Sequence, residues 1–261
     1  MQYNGQYETL RELQNRIGAF SVTSMYLNQE GKFVTNANLP NKVNEDGKMN
    51  PFVGNTVVFT MHSMMENEEA DAVKRLKEIQ TLLYSVPGIK RMLAERLKTD
   101  TFHMTLHDLE NGVPGEDVFL EERICSTGKK AKAILERAKQ GNDITIEMKA
   151  SRLFNMMNTS VVLGLEPCTE ADCQKLMQLY HEFNEAKHLG YPLTPHITMA
   201  YYRPGVYDAG TAQLLQKLMD LVNSVLNDET EGEEKAEIRF VFKISDLRHQ
   251  YFNNMNFYYE V

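Results

Sequence analysis

An α+β fold is what the sequence predicts for this chain of 261 residues, and three observations predict it. Short β-branched and aromatic runs alternate with amphipathic helical stretches. The order strand, helix, strand occurs twice, over about residues 54–110 and 158–203. The second strand of each unit opens on one frame, histidine, apolar, threonine, apolar: H-M-T-L from residue 103 and H-I-T-M from residue 196. Helices packed outside such sheets belong to the α+β class.

A helix is expected over residues 6–20, followed by a long loop punctuated by Asn, Gly and Pro. Residues 1–53 therefore read as a helix-and-loop extension packed on a single domain at 54–261. The run T-V-V-F-T-M, Thr56–Met61, is a strand by composition. Residues 66–84 place Ala70, Val73, Leu76, Ile79 and Leu83 at helical spacing. A second helical piece is expected over Ile89–Leu97 after Pro87-Gly88, and then the strand Thr101–Leu109. Between the units come a helix at Ser126–Gln140 and a strand at Ile144–Phe154.

The second unit begins with the strand Thr159–Leu165. Thr169-Glu-Ala-Asp172 has the spacing of a capping box, which starts a helix running to about Lys187. Pro195 leads into the strand His196–Tyr202. The echo with the first unit extends beyond the histidines. Asn55-Thr56-Val57-Val58 matches Asn158-Thr159-Ser160-Val161-Val162, and Glu69-Ala70-Asp71 matches Glu170-Ala171-Asp172. A helix at Gly210–Leu226, an acidic linker and strands at Glu237–Leu247 and Met255–Val261 complete the chain.

Bulk properties limit the partners. The formal charge of −8, from 28 basic and 36 acidic residues, opposes non-specific binding of long nucleic acid, which is held mainly by Lys and Arg. A small phosphate-bearing ligand needs only a few local donors. No apolar run reaches the roughly 18–20 residues of a membrane span. The opening residues M-Q-Y-N-G-Q-Y-E-T-L lack the basic start and apolar stretch of a signal peptide. Cys125, Cys168 and Cys173 form no close metal-type pair, so they read as reduced thiols in a cytoplasmic protein.

Side chains alternate faces along a strand. His103, Thr105 and His107 are thus expected on one face, and His196, Thr198, Ala200 and Tyr202 on the corresponding face of the other strand. If the units pack about an approximate two-fold, both sets face one cleft. Two imidazoles with ordinary values near 6.5 suit paired acid–base work at neutral pH. Phosphodiester cleavage needs both roles at once, and the threonines can donate to phosphate oxygens. A single His-x-Thr is weak, because a strand histidine is commonly a satisfied structural residue; two in matching positions of a repeat are much stronger.

This pattern resembles the two-histidine (2H) phosphoesterase superfamily, whose signature is two His-x-Thr/Ser-x motifs on strands. Here the motifs are His103-Met-Thr105-Leu and His196-Ile-Thr198-Met, the second preceded by Pro195. The stretch K-V-N-E-D-G-K-M-N-P-F-V-G-N-T at residues 42–56 resembles the entry to a poorly characterised branch of that superfamily. The resemblance implies a bilobal fold with two antiparallel sheets flanking a central cleft. It also implies His103 and His196 as acid and base, and Thr105 and Thr198 as phosphate ligands. The activity implied is a phosphodiesterase acting on a nucleotide or short oligonucleotide with a 2′,3′-cyclic phosphate or 2′-5′ linkage, with no cofactor or metal.

Lesser candidates for substrate contact are His107 on the His103 face, His62 at the end of the first strand, Tyr202 as a stacking ring, Arg203 and Arg152 as phosphate neutralisers, and Lys42 as a residue closing over the cleft. His181 and His188 are seven residues apart and do not form H-E-x-x-H. There is no Gly-Lys-Ser/Thr phosphate loop, and the methionines read as core filling. The alternatives are a non-catalytic module on the same fold that binds a nucleotide or another phosphorylated ligand and, more weakly, a metal hydrolase built from His62, His103 and His107.

Overall fold

The computed structural model describes residues 7–22, 27–61, 64, 70–141, 144–226 and 237–261. In chain order its elements are α1 (Leu10–Val22), β1 (Phe33–Val34), β2 (Val53–Thr60), α2 (Ala70–Ser85), β3 (His103–Gly112), α3 (Leu120–Gly141), β4 (Thr145–Met156), β5 (Ser160–Pro167), α4 (Glu170–Glu182), β6 (His196–Tyr201), β7 (Val206–Tyr207), α5 (Ala209–Leu226), β8 (Arg239–Lys243), β9 (Leu247–Asn254) and β10 (Phe257–Tyr259). No helix among the described residues is long and apolar enough to cross a membrane.

The mixed helix-and-strand fold has two antiparallel lobes. Eight strands follow the order β10-β9-β2-β3-β6-β5-β4-β8, while β1 and β7 form a separate two-stranded sheet. The join between β3 and β6 is thin: Met104 opposite Ile197 is its one register pair. The seam therefore divides the sheet into two lobes of four strands, each built around one strand-helix-strand unit. The units β2-α2-β3 and β5-α4-β6 meet at the seam through their histidine-bearing strands.

The sheet curls strongly. β8 lies at the far edge of the second lobe and β9 lies in the first, yet only Ile244–Asp246 separate them in sequence. Three residues reach about 10 Å even when extended, so the lobes must close toward each other on the side away from the seam. Phe59 of β2 and Phe242 of β8 meet there with ring centroids 5.2 Å apart. Met104 and Ile197, both fully buried, point into this apolar interior, which leaves their polar neighbours facing the other way.

Several elements form for local reasons. Thr169 caps α4, its hydroxyl accepting the Asp172 N–H at 3.1 Å and donating to the Asp172 carboxylate at 2.6 Å. The β4–β5 hairpin turns through residues 157–159, with Met157 and Asn158 at φ values of 51° and 55°, the left-handed pair used by tight turns matched to strand twist.

Two expectations are corrected. Ile89–Leu97 is no helix: one turn at Pro87–Lys90 is followed by chain whose backbone groups are taken by other elements. Arg203 N–H donates to Met92 O at 2.7 Å, Ala94 N–H to Tyr201 O at 2.9 Å, and Gln80 Nε2 to Leu97 O at 3.0 Å. The apolar spacing there serves packing against several neighbours and not one helical face. The single strand expected at Glu237–Leu247 is broken by the turn Ile244–Asp246, and β9, a central strand of the first lobe, was not anticipated. Its sequence L-R-H-Q-Y-F-N-N is too polar to stand out as a buried strand.

Candidate active site

Strict alternation fails in both histidine strands, and it fails at the same place. Along β3, Thr105 pairs with Val58 but His107 pairs with Val57, so Leu106 is an extra residue. Along β6, Thr198 pairs with Val162 but Ala200 pairs with Val161, so Met199 is extra. Each is a β-bulge on the residue just after the threonine. A bulge re-aims every side chain beyond it. His103 and Thr105, like His196 and Thr198, stay on the cleft side, but the following positions exchange faces.

His107 is therefore rotated out of the cleft and is 1% exposed. Its Nδ1 lies 2.8 Å from Asp108 O and its Nε2 3.2 Å from Asn184 Oδ1. Tyr180 and Phe183 flank the ring at 5.2 and 6.2 Å. Burial lowers its proton affinity, as for a neutral core imidazole. Its departure also removes one member of the metal triad His62, His103, His107. Tyr202 is fully buried, donates to Asn155 Oδ1 at 3.1 Å and packs on Phe33. The residues that take their places at the cleft are Asp108 and Tyr201.

The cleft is a cavity of about 580 Å³ whose lining includes His103, Thr105, His196, Thr198 and Lys42. Carrying the Met104–Ile197 register one residue either way sets His103 across from Thr198 and Thr105 across from His196. The four side chains thus form a crossed quartet over the seam. The first lobe adds Phe52, Phe252, Met255 and Tyr258 to the walls, and the second adds Leu189, Tyr191 and Leu193. A cavity of this size, mostly apolar with a few convergent polar groups, suits a small organic ligand.

The two histidines are oriented alike. His103 Nδ1 lies 2.7 Å from Thr101 O, and His196 Nδ1 lies 2.7 Å from Thr194 O. A carbonyl only accepts, so Nδ1 carries the proton in each ring and Nε2 is left as the free base. Tyr258 meets the His103 ring edge-on at 4.9 Å. Burial pushes His103 down to about 4; the Thr101 carbonyl and Asp108 pull it up, while His196 opposes protonation. His196 is also lowered, first by burial, with Thr194 and Asp108 raising it and Lys42 lowering it. Both imidazoles are therefore neutral near pH 7, and an anion between them raises their proton affinity.

Among the described residues no protein group hydrogen-bonds the Thr105 or Thr198 hydroxyl, so both can donate to a ligand oxygen. Lys42 stands over the rings of Phe52 and Tyr201, 5.3 and 5.8 Å from their centroids. Asp108 accepts the Tyr191 hydroxyl at 2.9 Å. Arg203 does not line the cleft; its Nε donates to Glu45 O at 2.5 Å and clamps the 42–50 loop. Arg152 on β4 lies off the cleft as well. His62 lies outside the described residues. Asp108, Tyr201 and Tyr258 escaped the sequence reading. The bulge hid the first two, and the C-terminal run F-Y-Y was the only signal for the third.

No protein-family model matches the chain, and no curated protein sequence matches it significantly. Among solved structures, the conserved protein of unknown function ATU0111 from Agrobacterium tumefaciens str. C58 shares the fold: 15% identity over 87% of this chain and 92% of that one, with a TM-score of 0.61. The LigT protein of E. coli in complex with 3′-AMP overlaps 73% of this chain and 84% of its own at 11% identity and a TM-score of 0.40. Its apo form overlaps 60% and 83% at 15% identity and a TM-score of 0.36.

Proposed function

We propose that this chain is a two-histidine phosphoesterase: a metal-independent phosphodiesterase acting on a nucleotide or short oligonucleotide with a 2′,3′-cyclic phosphate or 2′-5′ linkage. The observation that carries the reading is the matched pair of imidazoles across the seam. Each has its Nδ1–H tied to the carbonyl two residues upstream, and among the described residues nothing hydrogen-bonds its Nε2 or the threonine hydroxyl beside it.

The diester sits between the histidines with its non-bridging oxygens on Thr105 and Thr198. Nε2 of one neutral histidine takes a proton from water as the water oxygen bonds to phosphorus. The other, protonated histidine gives its proton to the departing ribose oxygen as the P–O bond breaks. Either histidine serves as base, according to which way the diester lies. Charge accumulates on the phosphoryl oxygens in the transition state, where the threonines and Lys42 stabilise it. The phosphodiester's own negative charge favours protonation of an imidazole that burial otherwise keeps neutral.

The test is a panel of 2′,3′-cyclic nucleotides and 2′-5′ dinucleotides, assayed with chelator present. Turnover that survives chelation and is abolished in both His103→Ala and His196→Ala supports the proposal. Nucleotide binding with no turnover across the panel, or equal turnover by both folded variants, overturns it.

A further inference from the structure

The carbonyl that orients His196 belongs to Thr194, in the irregular segment Leu189–Pro195 between α4 and β6. Pro195 has no N–H to donate, and its carbonyl bonds outward, accepting Leu165 N–H of β5 at 2.9 Å. The segment is held from outside at both ends, here and at Tyr191 O by the Tyr180 hydroxyl, and its middle, Leu193 and Thr194, is held by Arg16 of α1. Arg16 Nη1 donates to Thr194 Oγ1 at 3.0 Å and Nη2 to Leu193 O at 2.5 Å. The adjacent edge of the guanidinium, which shares Nη2, grips Glu8, Nε to Oε1 at 2.8 Å and Nη2 to Oε2 at 2.7 Å. Glu8 is in turn docked on α4, its carbonyl accepting Gln174 Nε2 at 3.3 Å and Cys173 Sγ at 3.6 Å.

We infer that Arg16 is a positioning residue for His196. The guanidinium is a planar fork with donors on fixed bearings, and here one edge is anchored on α4 through Glu8 while the other holds Leu193 and Thr194. The rigid helix is thereby coupled to the carbonyl that fixes the tautomer of the second histidine. The residue lies in the first fifty-three, far in sequence from either histidine motif, so that N-terminal segment takes part in preparing the acid–base pair. His103 does not depend on Arg16. Its Thr101 carbonyl sits on the turn Thr99–Thr101, closed locally by Thr101 N–H and Oγ1 donating to Lys98 O at 3.0 and 2.7 Å. That turn is also tied to Asn256, whose Oδ1 accepts Lys98 N–H at 2.8 Å. The inference rests on the two-histidine reading for its catalytic consequence, but the structural coupling is measurable without turnover.

The experiment compares Arg16→Met, which keeps the stem and loses the donors, with Arg16→Lys and wild type. Long-range ¹H–¹⁵N spectra of the histidine rings report the tautomer of each site. In Arg16→Met the Nε2–H tautomer of His196 is expected to become populated while His103 keeps the wild-type pattern. Arg16→Lys is expected to lie between. On a cleaved substrate, kcat should fall on the order of 10-fold with KM within about twofold, as small misplacements of a catalytic group produce. Should Arg16→Met fold poorly, Glu8→Gln loosens the same fork and is expected to shift His196 in the same sense. His196 spectra identical to wild type, or equal changes at both histidines, overturn the inference. Absence of any wild-type turnover would sink the phosphodiesterase proposal alone, because the tautomer comparison stands without it.

Discussion

The first strand-helix-strand unit and the second present the same chemical group by different means of support. Both offer histidine and threonine ahead of a bulge, and both tie Nδ1 to a carbonyl two residues back. In the first, that carbonyl lies on a turn that bonds to itself and, through Lys98 N–H, to Asn256, and the imidazole rests against Tyr258. In the second, it lies on an irregular segment held by Arg16 and by Tyr180, whose hydroxyl donates to Tyr191 O at 2.5 Å. Beyond the bulge the units diverge fully: His107 and Asp108 stand where the second has Ala200 and Tyr201. The repeated part is what acid–base chemistry requires. The part that differs sets charge and support, with a carboxylate entering the cleft from one side and an aromatic ring from the other.

The largest expected effects test whether the halves are equal partners in chemistry. His103→Ala and His196→Ala should each lower kcat by about 10²–10⁴-fold, the usual worth of a general acid or base, and the double variant should be little worse than either. A large loss in only one variant would break the symmetry at its centre. Thr105→Val and Thr198→Val are next, with losses of about 10²-fold in kcat, as for removal of one oxyanion donor. Steady-state kinetics with both variants would show whether the phosphoryl oxygens lean on one lobe more than the other.

The pH dependence examines the divergent part. Burial holds both imidazoles below their ordinary value, so the optimum of kcat/KM, which reports the free protein, should lie on the acid side of pH 6.5. Asp108 raises both, so Asp108→Asn should move both limbs to lower pH, while Tyr201→Phe should leave the profile in place. An unmoved profile in Asp108→Asn would remove Asp108 from the cleft's electrostatics.

Stability follows the same groups with a definite sign. His103, at about 4 in the folded protein against about 6.5 in an unfolded chain, takes up protons more readily when unfolded. Its contribution is complete above pH 6.5 and is lost as pH falls from there through about 4; the lowered His107 and His196 act in the same direction. Denaturant midpoints measured across that window should therefore drop on acidification. His107→Ala, which copies the second unit's Ala200, should cost about 2–4 kcal/mol from lost packing and hydrogen bonding, with the pH profile of catalysis retained. The smallest effect is expected at the rim. Met157→Gly relieves a side chain at positive φ and should be neutral or stabilising by up to about 1 kcal/mol.

The periodic parts of the molecule were legible because they are local. A helix or strand declares itself through its own spacing of apolar residues, and Thr169 declares its cap three residues from its partner. The pairing of the histidine frames was visible as well, because the order of elements around them repeats. The polar strand β9 was not, since its burial comes from lying between β2 and β10 and not from its own composition. The helix expected at Ile89–Leu97 failed for the complementary reason: its apolar residues answer to several neighbours at once.

The sequence by itself determined which residues repeat, and hence His103, Thr105, His196 and Thr198 as a matched set on two strands. Tertiary structure decided which side chains accompany them. A bulge is a relation between two strands in register, so no single strand contains the information that exchanges His107 for Asp108 and Tyr202 for Tyr201. The seam, the curl that closes the lobes and the reach of Arg16 to Thr194 are likewise contacts between distant segments. Alternation along a strand is fixed by its own backbone geometry, whereas the face that alternation presents is fixed by what the strand pairs with.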